Sequence, residues 1–264
     1  MATGTVHAAN GPLQVRRISP SGDEVQPGQE VVIQFDRTMV ALGDMTRAPA
    51  QAHVQVSPDP GCEWRWLNTS ELACRLAGKK RFRPATRYTV TVDTALKAYD
   101  GSHLAEPVTD TFTTWLPQVE SADFQHWLGP QRPSYALRFN IPVTAAAVAA
   151  KVVFKGPDDS VPAKVEPFTR ERQGPILLPV PGAPGALVEI DHPAPHTPLD
   201  AHTPAGEARR VWQVRATHQL KPDTVYSLIV QPGLRSPLGP LPGTFDQADT
   251  LHTYGAFRFL GIRC

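Results

Sequence analysis

Short alternating runs dominate this chain, and each reads as a strand with one buried face. Leu13–Ile18 alternates and stops at Ser19-Pro20-Ser21-Gly22, a turn by composition. Glu30-Val31-Val32-Ile33-Gln34-Phe35 predicts a strand whose β-branched residues can bury on both sides. Ala52–Val56 alternates again, and Trp64, Trp66 and Leu72 interleave with polar residues as in a hairpin. Tyr88–Val92 and Asp110–Thr114 complete a set of strands over 12–116. The pattern restarts at Val119, past Pro117, which cannot continue a ladder. Tyr135–Asn140, Lys151–Phe154, Val161–Val165, Leu187–Ile190 and Arg209–Val214 are the strands predicted next. Ala145–Ala150 is either a short helix or a turn into the following strand.

One pattern occurs twice. Arg83-Pro84-Ala85-Thr86-Arg87-Tyr88 and Lys221-Pro222-Asp223-Thr224-Val225-Tyr226 share Pro, Thr and Tyr at equal offsets, 138 positions apart. Each copy has a Gly 13 residues beyond its Tyr (Gly101, Gly239) and closes on a similar strand, 110–114 and 249–253. That period is the length of a domain and too long for a solenoid repeat or propeller blade. The chain therefore reads as all-β: two tandem Ig-like antiparallel β-sandwich domains. Residues 1–11 are expected as a flexible leader, 12–116 as the first sandwich and 117–264 as the second. A Pro/Gly-rich insertion lies around 156–206, and the second domain is expected to stop at or near its C-terminal end. The repeated tyrosines, Tyr88 and Tyr226, fit tyrosine corners: a strand-start ring in the core, its hydroxyl bonded to nearby backbone.

Composition changes the picture only modestly. Lys+Arg 26 against Asp+Glu 25 gives no case for nucleic acid or an anionic membrane. The 28 prolines and 19 glycines suit short strands joined by turns. No apolar run reaches the roughly 18 residues of a membrane helix. The first ten residues lack a basic patch followed by an apolar core, so they are no intact signal peptide.

Cysteine is more informative. With a turn centred on Asn68, Cys62 and Cys74 are directly opposed and close enough to bridge. A disulfide would imply an oxidising compartment; two reduced, partly buried thiols are the alternative. Cys264, the odd one, suggests a chain that continues. Candidate chemistry is sparse: no Gly-x-Ser-x-Gly, His-Glu-x-x-His, Cys-x-x-Cys or phosphate-binding Gly loop occurs, so no enzyme is expected. His192, His196, Asp200 and His202 supply ligand types for a metal, but the intervening prolines stiffen the segment, which reads as a solvated loop. Asn68-Thr69-Ser70 fits a glycosylation sequon. Trp64 and Trp66 share a face that is either core or a sugar-stacking platform. Lys79-Lys80-Arg81 reads as a solvated basic corner.

Ile18-Ser-Pro-Ser-Gly-Asp-Glu-Val25, Val31-Val-Ile-Gln-Phe-Asp-Arg-Thr-Met-Val-Ala-Leu-Gly43, Trp64-Arg-Trp66 and Arg83-Pro-Ala-Thr-Arg-Tyr-Thr-Val90 resemble the N-terminal region of bacterial alpha-2-macroglobulins. The resemblance lies mainly over 15–115 and is weaker over 119–260. It implies macroglobulin-type sandwiches and a periplasmic or cell-envelope, often membrane-tethered, broad-spectrum protease trap. In that family a bait region is cleaved, and a Cys–Gln thioester can capture the protease. Here Arg65, not Gln, stands three residues after Cys62, so the expected role is a non-enzymatic scaffold without cofactor. The implied partners are the remaining domains of a longer chain, target proteases and an envelope peptidoglycan synthase. The alternative is an extracellular Ig-like module of an adhesin, surface-layer protein or carbohydrate-active enzyme.

Overall fold

The computed structural model describes residues 11–45, 53–168 and 209–256, with the strand backbones 176–179 and 187–190. By contacts the chain forms two compact units. The first is Met1–Gln118 with Asn140–Pro142 and Gln231–Asp246; the second is Val119–Phe139, Val143–Val230 and Gln247–Cys264.

The first unit contains β1 (Val15–Ser19), β2 (Gly22–Val25), β3 (Glu30–Phe35), β4 (Val54–Ser57), β5 (Cys62–Asn68), β6 (Glu71–Leu76), β7 (Arg87–Val92) and β8 (Val108–Thr114). They form two four-stranded sheets, β1-β3-β6-β5 and β2-β8-β7-β4. Val31, Ile33 and Phe35 of β3 alternate inward, as do Tyr88, Val90 and Val92 of β7, and both sets join one buried cluster. The residues between the inward ones, Val32 and Gln34 in β3 and Thr89 and Thr91 in β7, are only partly buried, as the alternation of a pleat requires. Strand β2 was not expected, since Gly-Asp-Glu-Val carries no apolar alternation; it is an edge strand and pairs parallel to β8. The sandwich consequently has eight strands.

The Trp hairpin corrects the expected register. Trp64 pairs with Cys74, and Cys62 pairs with Leu76. The turn is Thr69–Ser70, not a loop centred on Asn68: Asn68 Oδ1 accepts the Ser70 N–H at 2.9 Å and pulls the reversal one residue on. Cys62 and Cys74 are thus diagonal neighbours on one face, with Cα atoms 5.4 Å apart, and are bonded as a disulfide.

The second unit contains β9 (Val119–Trp127), β10 (Pro133–Val143, whose stretch Asn140–Pro142 belongs to the first unit), α1 (Ala145–Lys151), β11 (Val152–Lys155), β12 (Ser160–Pro167), β13 (Ile176–Pro179), β14 (Leu187–Ile190), β15 (Arg209–Ala216), β16 (Val225–Val230) and β17 (Asp246–His252, from Gln247 on). The helix forms because Thr144 caps it, its hydroxyl accepting the Ala147 N–H at 3.2 Å. Strands β13 and β14 pair with each other; β13 was not expected. The other seven form one ladder, β17-β16-β11-β12-β15-β10-β9, instead of two separate sheets. The continuity comes from β12, which pairs with β11 through Ser160–Pro162 and with β15 through Ala163–Pro167. The partner changes at Pro162, which has no N–H to give a ladder. Along the ladder β10 and β11 are three strand spacings apart, about 14 Å. Yet the rings of Tyr135 and Phe154, both fully buried, lie 6.4 Å apart. The ladder therefore folds over on itself at β12 and encloses its own core, the sandwich arrangement in another form.

Candidate functional site

The two Pro-Thr-Tyr segments fold alike, atom for atom. In the first, Tyr88 is buried and its hydroxyl accepts the Arg83 N–H at 3.0 Å; in the second, Tyr226 accepts the Lys221 N–H at 3.1 Å. Thr86 and Thr224 each donate a hydroxyl to the preceding proline carbonyl, at 2.8 Å in both. A threonine completes each corner, Thr114 as the last residue of β8 and Thr253 as the residue just after β17. Thr114 Oγ1 donates to the Arg83 carbonyl at 2.7 Å and accepts the Thr86 N–H at 3.1 Å. Thr253 Oγ1 does the same with Lys221, at 2.6 Å, and Thr224, at 3.0 Å. Ala85 and Asp223 share a left-handed φ of 47°, and their N–H groups reach the carbonyls of Trp115 and Tyr254.

Burial pushes both phenols up, which keeps them neutral hydrogen-bonding groups. Tyr226 differs in one respect: its hydroxyl also donates to Asp159 Oδ2 at 2.9 Å. Gly156 lies against that pair. A Cβ there would run into Asp159 Oδ1 and sit 2.7 Å from the Tyr226 ring. The glycines that seemed to echo each other play different parts. Gly101 has φ +85° with open space around it, whereas Gly239 lies where a Cβ would strike the carbonyls of Pro84 and Ala85.

Beside the first corner lies a groove of about 520 Å³, every lining residue of which belongs to the first unit. Phe82 forms its floor. The ring is buried, 5.1 Å from Tyr88 and 5.4 Å from Phe112, and its N–H is held by the Gly28 carbonyl at 2.9 Å. Phe82 is buried, while its neighbours Arg81 and Arg83, which also line the groove, are exposed. Trp115, half-buried, and the rings of Pro27, Pro84 and Pro237 supply apolar walls. Sequence reading noted only the Lys79-Lys80-Arg81 corner. The Arg-Phe-Arg alternation was the available signal for the rest.

A second surface, in the second unit, was also missed. Phe124, Trp127 and Tyr254 form a chain of rings with centroids 5.6 and 5.1 Å apart, and Phe124 and Tyr254 are exposed. Residues three apart normally face opposite sides of a strand. Here Phe124 pairs with Tyr135 and His126 with Ser134, so Gln125 is an extra residue, and this bulge returns Trp127 to the face of Phe124.

Trp66 is buried, 6.3 Å from Phe35, and Trp64 is partly buried against the same core, which accounts for both as packing residues. The sequon residue Asn68 is exposed at the hairpin tip. His192, His196, Asp200, His202 and Cys264 lie outside the described residues. Among the described residues no group of three or more His, Cys, Asp or Glu could hold a metal ion, and no helix is long and apolar enough to cross a membrane.

Residues 9–114 match a family described as a bacterial Ig-like domain, Big_5, and that match ends on the Thr114 that closes the first corner. No curated protein matches the chain. Solved structures similar to it include bacterial alpha-2-macroglobulins. One, from Escherichia coli and spanning domains MG0-NIE-MG1, is 17% identical over 90% of this chain and 72% of that one, with a TM-score of 0.28. A mutant alpha-2-macroglobulin from Salmonella is 16% identical over 93% of this chain and 17% of that one, with a TM-score of 0.30. An L,D-transpeptidase from Mycobacterium tuberculosis H37Rv is 13% identical over 67% of this chain and 72% of that one, with a TM-score of 0.28. Scores this low carry no functional weight. What residues 9–114 share with known proteins is a bacterial Ig-like domain.

Proposed function

We propose that this chain is a non-enzymatic scaffold segment of an alpha-2-macroglobulin-like protease inhibitor of the bacterial cell envelope. The observation that carries the reading is the corner built twice. Tyr88, Thr86 and Thr114, and again Thr224 and Thr253, spend their hydroxyls on backbone atoms of their own unit, and Tyr226 divides its hydroxyl between the Lys221 N–H and the Asp159 carboxylate. Groups committed in this way position strands, not substrates. The resemblance over 15–115 supplies the family, and its implied partners are the proposal's partners: further domains of a longer chain, target proteases and an envelope peptidoglycan synthase. The Cys62–Cys74 bridge supports an extracytoplasmic location, since such bonds persist in oxidising compartments.

The test is the full gene product. It is expected to carry Cys-x-x-Gln downstream and to shield a bound protease from protein substrates while leaving it active on small peptides. The isolated segment is expected to do neither. A full-length product with no effect on proteases would overturn the reading. The second reading, an Ig-like module of another surface protein, draws on the family match over 9–114. It is favoured if the flanking sequence encodes an adhesin or a catalytic domain in place of a trap.

A further inference from the structure

We propose that the groove bounded by Arg81, Arg83 and Trp115 is a docking site for an extended acidic peptide segment. Charge complementarity carries the inference. Among the described residues no carboxylate pairs with Lys79, Lys80, Arg81 or Arg83. None of the residues lining the groove is acidic. Two guanidinium groups without a carboxylate partner among the described residues thus border one largely apolar slot in a chain whose formal net charge is only +1.

The groove is built, not a chance meeting of flexible side chains. Phe82 is locked beneath it, and Arg81 is steadied by a hydrogen bond from Nη1 to the Pro27 carbonyl at 3.2 Å. Only some of that guanidinium's five donors are used there, so a planar face remains for a carboxylate. Of the two uncharged polar residues that line the groove, Gln26 and Asn140, Asn140 is already satisfied: it donates to the Leu116 carbonyl at 2.8 Å and accepts the Gln118 N–H at 2.9 Å. What the groove offers a ligand is therefore positive charge, apolar rings and the exposed, uncharged Gln26.

The shape selects the ligand class. A slot of about 520 Å³ lies within the range of specific ligand sites, roughly 300–1,000 Å³. Proline and tryptophan walls suit an extended peptide whose side chains alternate between slot and solvent. A nucleic acid would call for a broad basic stripe able to follow a phosphate backbone, and the balanced charge of this chain does not provide one. The proposal stands apart from the inhibitor reading, because it concerns this groove whatever protein surrounds it.

The probe is a fluorescein-labelled peptide, Pro-Leu-Glu-Pro-Glu-Leu, titrated into the intact chain and read by anisotropy and by the Trp115 indole resonance. Saturable binding that shifts the indole signal is expected. Arg81→Glu/Arg83→Glu should weaken it at least about tenfold, the loss of charge-assisted hydrogen bonds. Both substitutions leave the Arg83 N–H free to hold Tyr88, so the fold is retained and circular dichroism checks it. Lys97→Glu/Lys155→Glu, with the same charge change elsewhere, should bind normally. Equal binding of the Gln-for-Glu peptide, equal binding by the double arginine variant, or binding of dextran sulfate but not of the peptide would each overturn the proposal.

Discussion

Thr114 Oγ1 donates to the Arg83 carbonyl at 2.7 Å, and through that bond the last residue of one strand holds the corner before another. The same oxygen accepts the Thr86 N–H at 3.1 Å. Thr114→Val keeps the shape and strands a buried donor and an acceptor, at a cost of about 1–3 kcal/mol each way. Thr253→Val should act comparably on the second unit. Hydrogen exchange checks both: amides of β7 and β8 should lose protection in Thr114→Val, and those of β16 and β17 in Thr253→Val. Unchanged protection in either variant would mean that the threonine is not what holds its corner.

The two corners are alike in plan and unequal in strength. Tyr226 adds a bond to Asp159, while among the described residues the Tyr88 hydroxyl has only the Arg83 N–H. Tyr226→Phe should therefore lower stability more than Tyr88→Phe, by about 1 kcal/mol for the additional hydrogen bond. Gly156→Ala offers a second measure of the same pair. Its methyl would displace Asp159 and the Tyr226 ring together, costing about 1–3 kcal/mol. Denaturant unfolding of the three variants decides the order.

How much of this was legible from sequence depends on which period the residues follow. Strands such as Glu30–Phe35 and Arg87–Val92 announce themselves because one face is buried and the residues alternate. The corners were legible too, since Pro, Thr and Tyr recur at fixed offsets. The closing strands 110–114 and 249–253 were legible as a pair as well, but not the part played by Thr114 and Thr253, because their bonds to Arg83 and Lys221 span about thirty residues and a strand threonine carries no local sign of them. Strand β2 hid because an edge strand of polar residues has no apolar rhythm. The Phe124–Trp127 surface hid because the Gln125 bulge breaks the two-residue period on which strand reading relies. The groove beside Arg83 hid for a different reason. It joins residues far apart in the chain, and no local pattern encodes such a meeting.

Acid should weaken the first unit in a defined window. The Arg37 guanidinium, 2.8 Å from Asp36, holds that carboxyl below its ordinary value, and Ser102 does the same for Asp100. A carboxylate whose folded pKa is depressed adds stability above its unfolded value, about 3.9, and that stability is lost as pH falls through the folded value. Stability should therefore be flat at neutral pH and decline below about pH 4. Asp36→Asn should be less stable at pH 7 and show a shallower decline, because the group that takes up the proton is gone. A variant with the same acid slope as the parent would refute a role for this ion pair.

The bridge between Cys62 and Cys74 offers the sharpest check on the hairpin. Because Trp64, not Cys62, faces Cys74, the sulfurs meet across a diagonal, and the loop they close includes the whole Asn68–Glu71 reversal. Closing so short a loop constrains the unfolded chain and contributes about 2–3 kcal/mol. Cys62→Ala/Cys74→Ala should lower the unfolding free energy by that amount, as should reductant on the parent, and reductant should leave the double variant unchanged. Intact-mass measurement after alkylation without reductant provides the independent reading: neither Cys62 nor Cys74 should be labelled. Labelling of both in the native protein would show that the bridge is absent and remove the chief support for an oxidising compartment.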